Sequence, residues 1–280
     1  MKNILILILL TILISCQKES ISDIPSYISI ENIKLNEDIT TNITDAWVYI
    51  DENLQGVYEL PATFPVLADG KHKLRIKAGI KDNGISSTRI TYPFYASFII
   101  EEQEFNPRLT LSITPEVTYL ERINLEDNLE DFDGNGLSIE TDDAFSTSNI
   151  NPIDNYYGII TLSDSILLSE ISTEKLENIA QEGAPVYLEL DYKCNTKFLI
   201  GVYVNFPQSG VLQKDLLWVN PKEDWNKIYL NLTATISEAV GAEFFKVFIK
   251  TERDFALEKA LATIEKNLER MVIKEKISKE

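Results

Sequence analysis

The stretch VYLELDYK, residues 186–193, alternates apolar and polar side chains over eight consecutive positions. Because successive side chains of an extended strand point to opposite faces, this pattern predicts a half-buried β-strand. The same period of two returns in residues 198–205, 225–232 and 244–249. We expect residues 194–197 to close a hairpin between the first two of these strands, and the whole set is typical of a β-sandwich.

The first half of the chain predicts strands of its own. Residues 46–50 are β-branched and aromatic, and a polar turn separates them from a returning strand at residues 54–60. Residues 62–66 follow Pro61 and contain Pro65, and proline cannot donate a hydrogen bond within a sheet. We therefore expect residues 62–66 to lie at a sheet edge or to form an extended crossover.

Residues 71–77, KHKLRIK, also alternate strictly. His72, Leu74 and Ile76 fall on one face of the predicted strand, and four basic side chains fall on the other. His72 is the single histidine of the chain, and its place on the apolar face predicts a packed structural residue. A zinc site with histidine ligands, a serine triad or a cysteine–histidine dyad would each have to use it.

These segments resemble the PEGA module, a small β-sandwich of bacterial envelope proteins. The residues that carry the resemblance are Val48, Ile50, Asp51, Gly56, Pro61, Gly70, His72, Leu74, Ile76 and Gly79. Glu52 and Asn53 stand where that family has a turn glycine. The resemblance implies a spacer or interaction module without catalytic activity.

The second half resembles the jelly-roll, galactose-binding-like modules of carbohydrate-binding and adhesive proteins. The resemblance lies in an acidic opening at residues 130–134, a long strand at residues 187–192 and the pattern W-x-x-I-x-L-x-L that starts at Trp225. It implies a second β-sandwich, of the jelly-roll type. Since Trp225 leads an alternating strand, we expect its side chain in the core.

The N-terminus has the features of a secretory signal, with Lys2 ahead of an apolar segment that is too short to span a bilayer. Residues 13–16, LISC, resemble the lipobox of bacterial lipoproteins, which implies cleavage after residue 15 and lipidation of Cys16. Two or three acyl chains would anchor the protein stably. A plain signal peptide with a chance cysteine, or a short membrane helix, is the alternative.

Residues 17–19, Gln-Lys-Glu, resemble the export signal that sends lipoproteins of some Gram-negative bacteria to the outer face of the outer membrane. A generic polar tether is the alternative. The two β-rich halves behind this N-terminus resemble uncharacterised surface lipoproteins. The resemblance implies a lipid-anchored protein of the outer membrane, and the side of the membrane that it faces stays open.

We therefore predict an all-β chain with two β-sandwich domains, the first PEGA-like or immunoglobulin-like and the second a jelly roll. The predicted divisions are a signal peptide at 1–15, a tether at 16–26, a first sandwich at 27–118, an acidic connection at 119–136, a second sandwich at 137–275 and a tail at 276–280. Residues 257–277 have helical composition, but a closing strand at residues 271–273 is the preferred prediction.

The formal net charge is −18, and loss of Lys2 with the signal would leave −19. Like charges repel over a Debye length of about 8 Å in physiological salt, which disfavours nucleic acid and anionic lipid headgroups as partners. The predicted partners are the membrane, through the lipid anchor, and a glycan or an envelope protein. With Cys16 lipidated, Cys194 has no cysteine to pair with in the chain, and we expect it to be buried.

One acidic segment has the spacing of a calcium loop. Asp131, Asp133 and Asn135 match its alternate ligand positions, and Asp142 falls at the twelfth position. Ile139 at the ninth position, and the lack of predicted helices on either side, favour a solvated acidic turn instead. Calcium is the one cofactor that the sequence suggests.

Aromatic side chains are the predicted ligand-binding residues, because rings can stack on sugars. The first candidate is Trp218, which we expect between strands, and Tyr156, Tyr157 and Tyr203 are the others. We expect no catalytic residues and prefer a non-catalytic surface protein that acts in binding or envelope assembly. The alternatives are a carbohydrate-binding accessory protein of a glycan-uptake system and a hydrolase with paired carboxylates.

Overall fold

The structure, a computed structural model, describes residues 24–36, 40–120, 132, 139–149 and 156–253. These residues form nineteen β-strands and one short helix, α1, at Thr233–Ser237. The prediction of an all-β chain built from β-sandwiches is confirmed. No helix in the described ranges is long and apolar enough to cross a membrane.

The chain divides into two compact units. Unit 1 contains the described residues up to Lys81 together with Ser86–Leu120, and unit 2 contains Asp82–Ile85 with the described residues after Leu120. The sequence predicts a continuous first domain over residues 27–118 and does not separate the segment Asp82–Ile85 from it.

Some predictions fall on residues outside the described ranges. These are the signal peptide at 1–15, lipidation of Cys16, the calcium ligands Asp131, Asp133 and Asn135, the closing strand at 271–273 and the tail at 276–280. They stay predictions.

Unit 1 contains ten strands. They are β1 (Ser26–Ile30), β2 (Lys34–Leu35), β3 (Asp45–Ile50), β4 (Asn53–Glu59), β5 (Ala62–Val66), β6 (Gly70–Lys81), β7 (Arg89–Thr91), β8 (Phe98–Phe105), β9 (Thr110–Ile113) and β10 (Glu116–Val117). A five-stranded sheet has the order β4-β3-β6-β7, with β8 also paired to β6. A three-stranded sheet has the order β5-β1-β9, and β10 pairs with β2.

The core of unit 1 follows the period-two pattern of its strands. In the five-stranded sheet, Val48 of β3 and Leu74 and Ile76 of β6 are fully buried. In the three-stranded sheet, Ile28 of β1 and Phe64 of β5 are buried. Each sheet therefore buries one face, and the side chains between these residues point to the opposite face.

The proline argument for β5 is confirmed, since β5 lies at the edge of the three-stranded sheet. Pro65 pairs with Tyr27 of β1 in the antiparallel register. An edge strand needs hydrogen bonds to one neighbour alone, so a residue without an N–H can be accommodated there.

Unit 2 contains nine strands and helix α1. The strands are β11 (Ile139–Glu140), β12 (Phe145–Asn149), β13 (Tyr156–Ile160), β14 (Leu168–Thr173), β15 (Tyr187–Cys194), β16 (Phe198–Phe206), β17 (Gly210–Val219), β18 (Lys222–Asn231) and β19 (Phe244–Glu252). Five strands form a sheet of order β11-β14-β19-β16-β17, called the large sheet below. Strands β15 and β18 form the small sheet, and β12 pairs with β13.

One apolar cluster holds the large and small sheets together. Ile200 and Val202 of β16 are fully buried, and they cluster with Ile228 and Leu230 of β18. Helix α1 adds Ile236 to the same cluster. The inner faces of both sheets thus share one core, as expected for a sandwich.

The predicted hairpin around residues 194–197 is wrong. Strand β15 pairs with β18, whereas β16 pairs with β17 and β19, so the four residues connect two different sheets. The reason lies in the apolar residues of the two strands. Leu188 and Leu190 of β15 contact the core from one side, and Ile200 of β16 lies in that core. The two strands therefore stack face to face and do not pair edge to edge.

Candidate functional site: aromatic faces of unit 2

The small sheet of unit 2 has an apolar face and a face that carries aromatic and charged side chains. Ile228 and Leu230 of β18 point into the core. Because side chains alternate along a strand, Trp225 and Lys227 point to the outer face. Tyr229, the next residue on that face, is 1% exposed. The outer face is therefore open at its Trp225 end and covered at its Tyr229 end.

Trp225 is exposed and meets a tyrosine from the β12–β13 hairpin. Its side chain is 49% exposed, so the expectation of a core residue is wrong. The rings of Trp225 and Tyr157 are 5.7 Å apart between centroids, with an angle of 85° between their planes. Two rings at a right angle offer two apolar walls to a flat ligand. We call Trp225 and Tyr157 the aromatic corner.

Three charged side chains follow the aromatic corner on the same face. The Lys227 ammonium lies 3.2 Å from a Glu189 carboxylate oxygen and 3.1 Å from one of Asp191. The side chain of Lys227 is 5% exposed, whereas that of Asp191 is 40% exposed. We call these three residues the polar cluster. Its charges sum to one negative charge, and its exposed carboxylate can accept hydrogen bonds from hydroxyl groups.

The spacing between the corner and the cluster follows from strand geometry. Trp225 and Lys227 are two residues apart in β18, which corresponds to about 7 Å along the strand. A ring-stacking surface and hydrogen-bonding carboxylates therefore lie within the dimensions of one or two sugar rings. This combination of apolar and polar contacts is typical of small-molecule sites.

Tyr156, the neighbour of Tyr157, does not join the corner. In the β12–β13 hairpin, Tyr157 pairs with Ser148, and Tyr156 is the next residue in the strand. Adjacent strand residues point to opposite faces, so Tyr156 is directed away from Trp225. Its side chain is 41% exposed.

Trp218 lies on the outer face of the large sheet. It is part of strand β17, so its predicted position between strands is wrong, and its side chain is 47% exposed. It pairs across the sheet with Leu199, which is buried. The Lys197 ammonium stands over its ring at 5.6 Å from the centroid, an arrangement that stabilises a cation on an aromatic face.

Tyr203 lies on the same outer face as Trp218, about 13 Å away along the strands. Its hydroxyl donates a hydrogen bond to Glu170, and its ring packs on Phe248 at 4.6 Å between centroids. Burial and the Glu170 carboxylate raise the pKa of Tyr203 to about 12. One ring face and the hydroxyl of Tyr203 are therefore already engaged within the protein.

Asp142, the one calcium candidate within the described ranges, is held by protein donors. Its carboxylate accepts hydrogen bonds from the Ala144 amide at 2.9 Å, the Ser169 hydroxyl at 3.0 Å and the Glu170 amide at 2.9 Å. Burial alone would raise the pKa of Asp142, but these hydrogen bonds together hold it below its usual value. Asp142 thus ties the segment before β12 to strand β14.

Among the described residues, no three His, Cys, Asp or Glu side chains are grouped so that they could hold a metal ion. His72 is half-exposed in unit 1. Its Nδ1 lies 2.6 Å from an Asp51 carboxylate oxygen, and its Nε2 lies 3.1 Å from the Asp69 carbonyl oxygen. Both ring nitrogens therefore have partners, one in the turn between β3 and β4 and one in the segment before β6.

Cys194 ends strand β15 and is half-buried, which is less than the sequence predicts. Its Sγ lies 3.7 Å from the Asn220 carbonyl oxygen, and it is a free cysteine. Burial raises the pKa of the Cys194 thiol, which lowers its thiolate fraction. The environment of this cysteine is therefore that of a packed residue and not that of an activated nucleophile.

The sequence contains the signal for the exposure of Trp225. In the predicted strand over residues 225–232 the aliphatic residues are Ile228, Leu230 and Leu232, and all three are even-numbered. Trp225 is odd-numbered and so falls on the opposite face. The contact with Tyr157 could not be predicted, because it depends on where a separate hairpin packs.

No protein-family model matches the chain, and a search of curated proteins finds no significant relative. Among solved structures, the chain is similar to one from work on the promiscuous specificity of the carbohydrate-binding modules from the β-sandwich superfamily. The identity is 13%, the match covers 78% of this chain and 81% of the other, and the TM-score is 0.32.

Proposed function

We propose that the protein is a non-catalytic, lipid-anchored binding protein of the bacterial outer membrane. In this proposal unit 2 binds neutral carbohydrate at the aromatic corner and the polar cluster. The lipid is attached at Cys16, and the first unit acts as a PEGA-like spacer or interaction module. The proposal joins the preferred function from the sequence with its carbohydrate-binding alternative.

The observation that carries the proposal is the exposed, right-angled pair of Trp225 and Tyr157. Burying a large apolar side chain stabilises a fold by about 2 kcal/mol, so a tryptophan left half in water forgoes part of that gain. A ligand that covers the ring would recover it. Sugar rings suit this purpose because their C–H faces pack on aromatic rings while their hydroxyl groups face polar side chains.

The polar cluster favours a neutral ligand over an acidic one. Its net charge is −1, and an acidic group would approach the exposed carboxylate of Asp191. Hydroxyl groups can instead donate hydrogen bonds to that carboxylate. We therefore expect neutral glycans to bind at this site and carboxylated or sulfated glycans to bind there more weakly.

The same cluster bears on the hydrolase alternative. Glu189 and Asp191 are paired carboxylates on one face, as a glycosidase would need. A glycosidase uses one carboxyl group as proton donor and the other as base or nucleophile. Here both carboxylates contact a single lysine, Lys227, at 3.2 and 3.1 Å. This arrangement supports a binding role.

A glycan array tests the carbohydrate proposal. The soluble chain that starts after Ser20 is compared with Trp225→Ala and with Trp218→Ala, each in calcium and in chelator. We expect signals on neutral glycans that fall at least tenfold in Trp225→Ala and persist in Trp218→Ala. Flat signals on every glycan would exclude the carbohydrate-binding function and leave a role in envelope assembly as the proposed function. Loss in Trp218→Ala alone would move the site to the large sheet.

The calcium prediction has its own readout in the same samples. If residues 131–142 bind calcium, the melting temperature falls when a chelator is added, because a ligand that binds the folded state stabilises it. An unchanged melting temperature would show that residues 131–142 do not bind calcium. The glycan signals then decide the carbohydrate proposal independently of the metal.

The anchor and its orientation need experiments on cells. Cys16→Ala should release the protein from the detergent phase in a phase-partitioning assay, because the acyl chains are then absent. Protease shaving of intact cells tests surface exposure, with Lys18 and Glu19 both changed to alanine as the comparison. Protection of both forms would place the protein on the periplasmic side.

A further inference from the structure

Unit 1 has a second tryptophan-bearing face, on the outer side of its five-stranded sheet. In the register of β3 and β6, Trp47 pairs with Lys77 and Tyr49 pairs with Arg75. Val48 and Ile76 alternate with these residues and are fully buried, so the four side chains point away from the core. We call Trp47, Tyr49, Arg75 and Lys77 the Trp47 face.

Two hydrogen-bond donors on this face lack acceptors. Across the described residues, two buried side-chain polar atoms have no partner, and they are Trp47 Nε1 and Arg75 Nε. Both atoms carry an N–H and neither can accept a hydrogen bond. Folded proteins rarely leave buried donors unpaired, and such groups point to a missing water, ion or ligand. Because both atoms are buried, an outside acceptor reaches them only when the two side chains move.

Lys77 adds a third donor. It is half-buried, and its ammonium stands 5.9 Å from the centre of the Tyr49 ring. Within the described ranges no carboxylate lies within 4.0 Å of it, although other basic residues of β6, such as Lys71 and Lys73, form ion pairs. A partly desolvated cation without a counter-ion attracts an anion.

The charge of the Trp47 face is opposite to that of the chain as a whole. Arg75 stands 4.8 Å from the Tyr49 ring centre and pairs with Glu52. Together with Lys77, these charges sum to one positive charge, in a chain whose net charge is −18. A local positive charge against this background selects a ligand that carries its own negative charge.

The surface beside Trp47 has room for a ligand. An open depression of about 380 Å³ is lined by Trp47, Val57 and Arg89, and also by Asp45 and Glu59, whose carboxylates pair with Arg89. Gly79 lies next to Trp47 in the sheet, and a Cβ atom there would come within 2.9 Å of Trp47 Nε1. The indole ring therefore packs directly over Gly79, and the absence of a side chain there makes room for the Trp47 ring.

We infer that the Trp47 face binds an acidic saccharide, with a carboxylate group of the sugar paired to the Lys77 ammonium. The ammonium supplies the charge and the donors, and the half-buried rings of Trp47 and Tyr49 supply an apolar surface for the sugar. A long polyanion such as nucleic acid is disfavoured, because most of its charges would lie against an acidic protein. A short acidic saccharide places one or two charges at the face itself.

This inference does not depend on the site proposed in unit 2, since it uses other residues and the opposite ligand charge. The test is a calorimetric titration of the soluble chain that starts after Ser20. The probes are a trigalacturonate and the same trisaccharide with its carboxylates reduced to alcohols. Inorganic phosphate serves as a third probe for simple anion binding.

We expect the trigalacturonate to bind and the reduced trisaccharide to bind at least tenfold more weakly at this site. Lys77→Met and Trp47→Ala should each weaken the acidic probe at least tenfold, since the first removes the charge and the second removes the ring. Lys71→Met is the matched control, because Lys71 is exposed and paired with Glu102. Circular dichroism checks that each variant folds.

Several outcomes would overturn the inference. One is no binding of the acidic probe, and another is equal binding of the acidic and reduced probes. Phosphate that binds as tightly as the trisaccharide would exclude a saccharide site. An equal loss in Lys71→Met would show general electrostatic attraction. Trp225→Ala separates the two proposals, because it should leave the acidic probe unaffected even if the unit 2 site fails.

Discussion

Trp47 and Trp225 have the same kind of position in two different sheets. Each lies on the outer face of a strand whose other face enters a core, and each has a lysine next to it on the sheet. Lys227 is held by two carboxylates, whereas Lys77 has none within 4.0 Å in the described part of the chain. We call the aromatic corner and the polar cluster together the Trp225 face. The lysine of the Trp225 face is paired and the net charge of that face is −1, whereas the lysine of the Trp47 face has no such pair and the net charge there is +1.

This difference shows how tryptophan can take part in binding both neutral and acidic ligands. The ring supplies a similar apolar surface in both places, and the neighbouring charges decide which group can approach. The Trp225 face is suited to hydroxyl donors, and the Trp47 face is suited to carboxylate acceptors. Substitutions of the two lysines and of nearby residues can sharpen or break this comparison.

The largest effect is expected for Lys227→Met. Removal of the ammonium leaves Glu189 and Asp191 close together without a counter-charge, and breaking a buried ion pair costs about 3 kcal/mol. We expect the free energy of unfolding in urea to fall by about that amount. Lys250→Met is the control, because the Lys250–Glu170 pair is more exposed and should cost less than about 1 kcal/mol. Equal losses in both variants would contradict this assignment.

Gly79→Ala should have the next largest effect. The added Cβ would lie 2.8 Å from the Asp45 Cβ and 2.9 Å from Trp47 Nε1, so the indole must move. Such overpacking costs about 1–2 kcal/mol. Stability measured in urea should fall accordingly, and the acidic trisaccharide should bind more weakly. A variant with unchanged stability and unchanged binding would show that the space beside Trp47 has no role.

The His72–Asp51 pair predicts a smaller, pH-dependent effect. The hydrogen bond with Asp51 raises the pKa of His72 above its usual 6.5, so the contribution of His72 is full below pH 6.5 and is lost as pH rises through the raised value. The hydrogen bond with His72 lowers the pKa of Asp51, whose contribution is present above pH 3.8 and is lost as pH falls through the lowered value.

The pair therefore stabilises unit 1 most between pH 3.8 and 6.5, by less than about 1 kcal/mol because both side chains are partly exposed. Urea unfolding at pH 5.5 and 8.5 measures the change. Asp51→Asn should flatten it, and asparagine tolerates the positive φ of 47° at this position. His72 is the single histidine, so a pH dependence retained in this variant would have another source.

Lys77→Met should have the smallest effect on stability. Lys77 has no carboxylate partner among the described residues, and methionine keeps the apolar stem against Tyr49. We expect a change within about 0.5 kcal/mol or a slight gain. The contrast with Lys227→Met is the direct test of the comparison, since both variants replace a half-buried or buried lysine on the outer face of a strand.

The sequence predicts much of the fold because period-two patterns report which face of a strand is buried. Strand β6 and the edge position of Pro65 follow from local residues alone. The pairing partner of a strand is a long-range property, which is why the hairpin between β15 and β16 was the wrong prediction. Alternation shows how a strand is oriented but not which neighbour it joins.

The candidate sites were less accessible to sequence reasoning. The alternation of KHKLRIK places four basic side chains on one face, but the pairing of Lys77 with Trp47 requires the register of β3 and β6. The corner of Trp225 and Tyr157 joins residues that are far apart in the sequence. Trp218 of β17 and Tyr203 of β16 share the outer face of the large sheet, a relation that again depends on register.

The most direct test of the account is one glycan array that carries neutral and carboxylated glycans and is probed with wild type, Trp225→Ala and Lys77→Met. We expect Trp225→Ala to lose the signals on neutral glycans and to keep those on carboxylated glycans. We expect Lys77→Met to lose the signals on carboxylated glycans and to keep those on neutral glycans. Loss of both classes in either variant, or wild-type signals that are flat on every glycan, would contradict it.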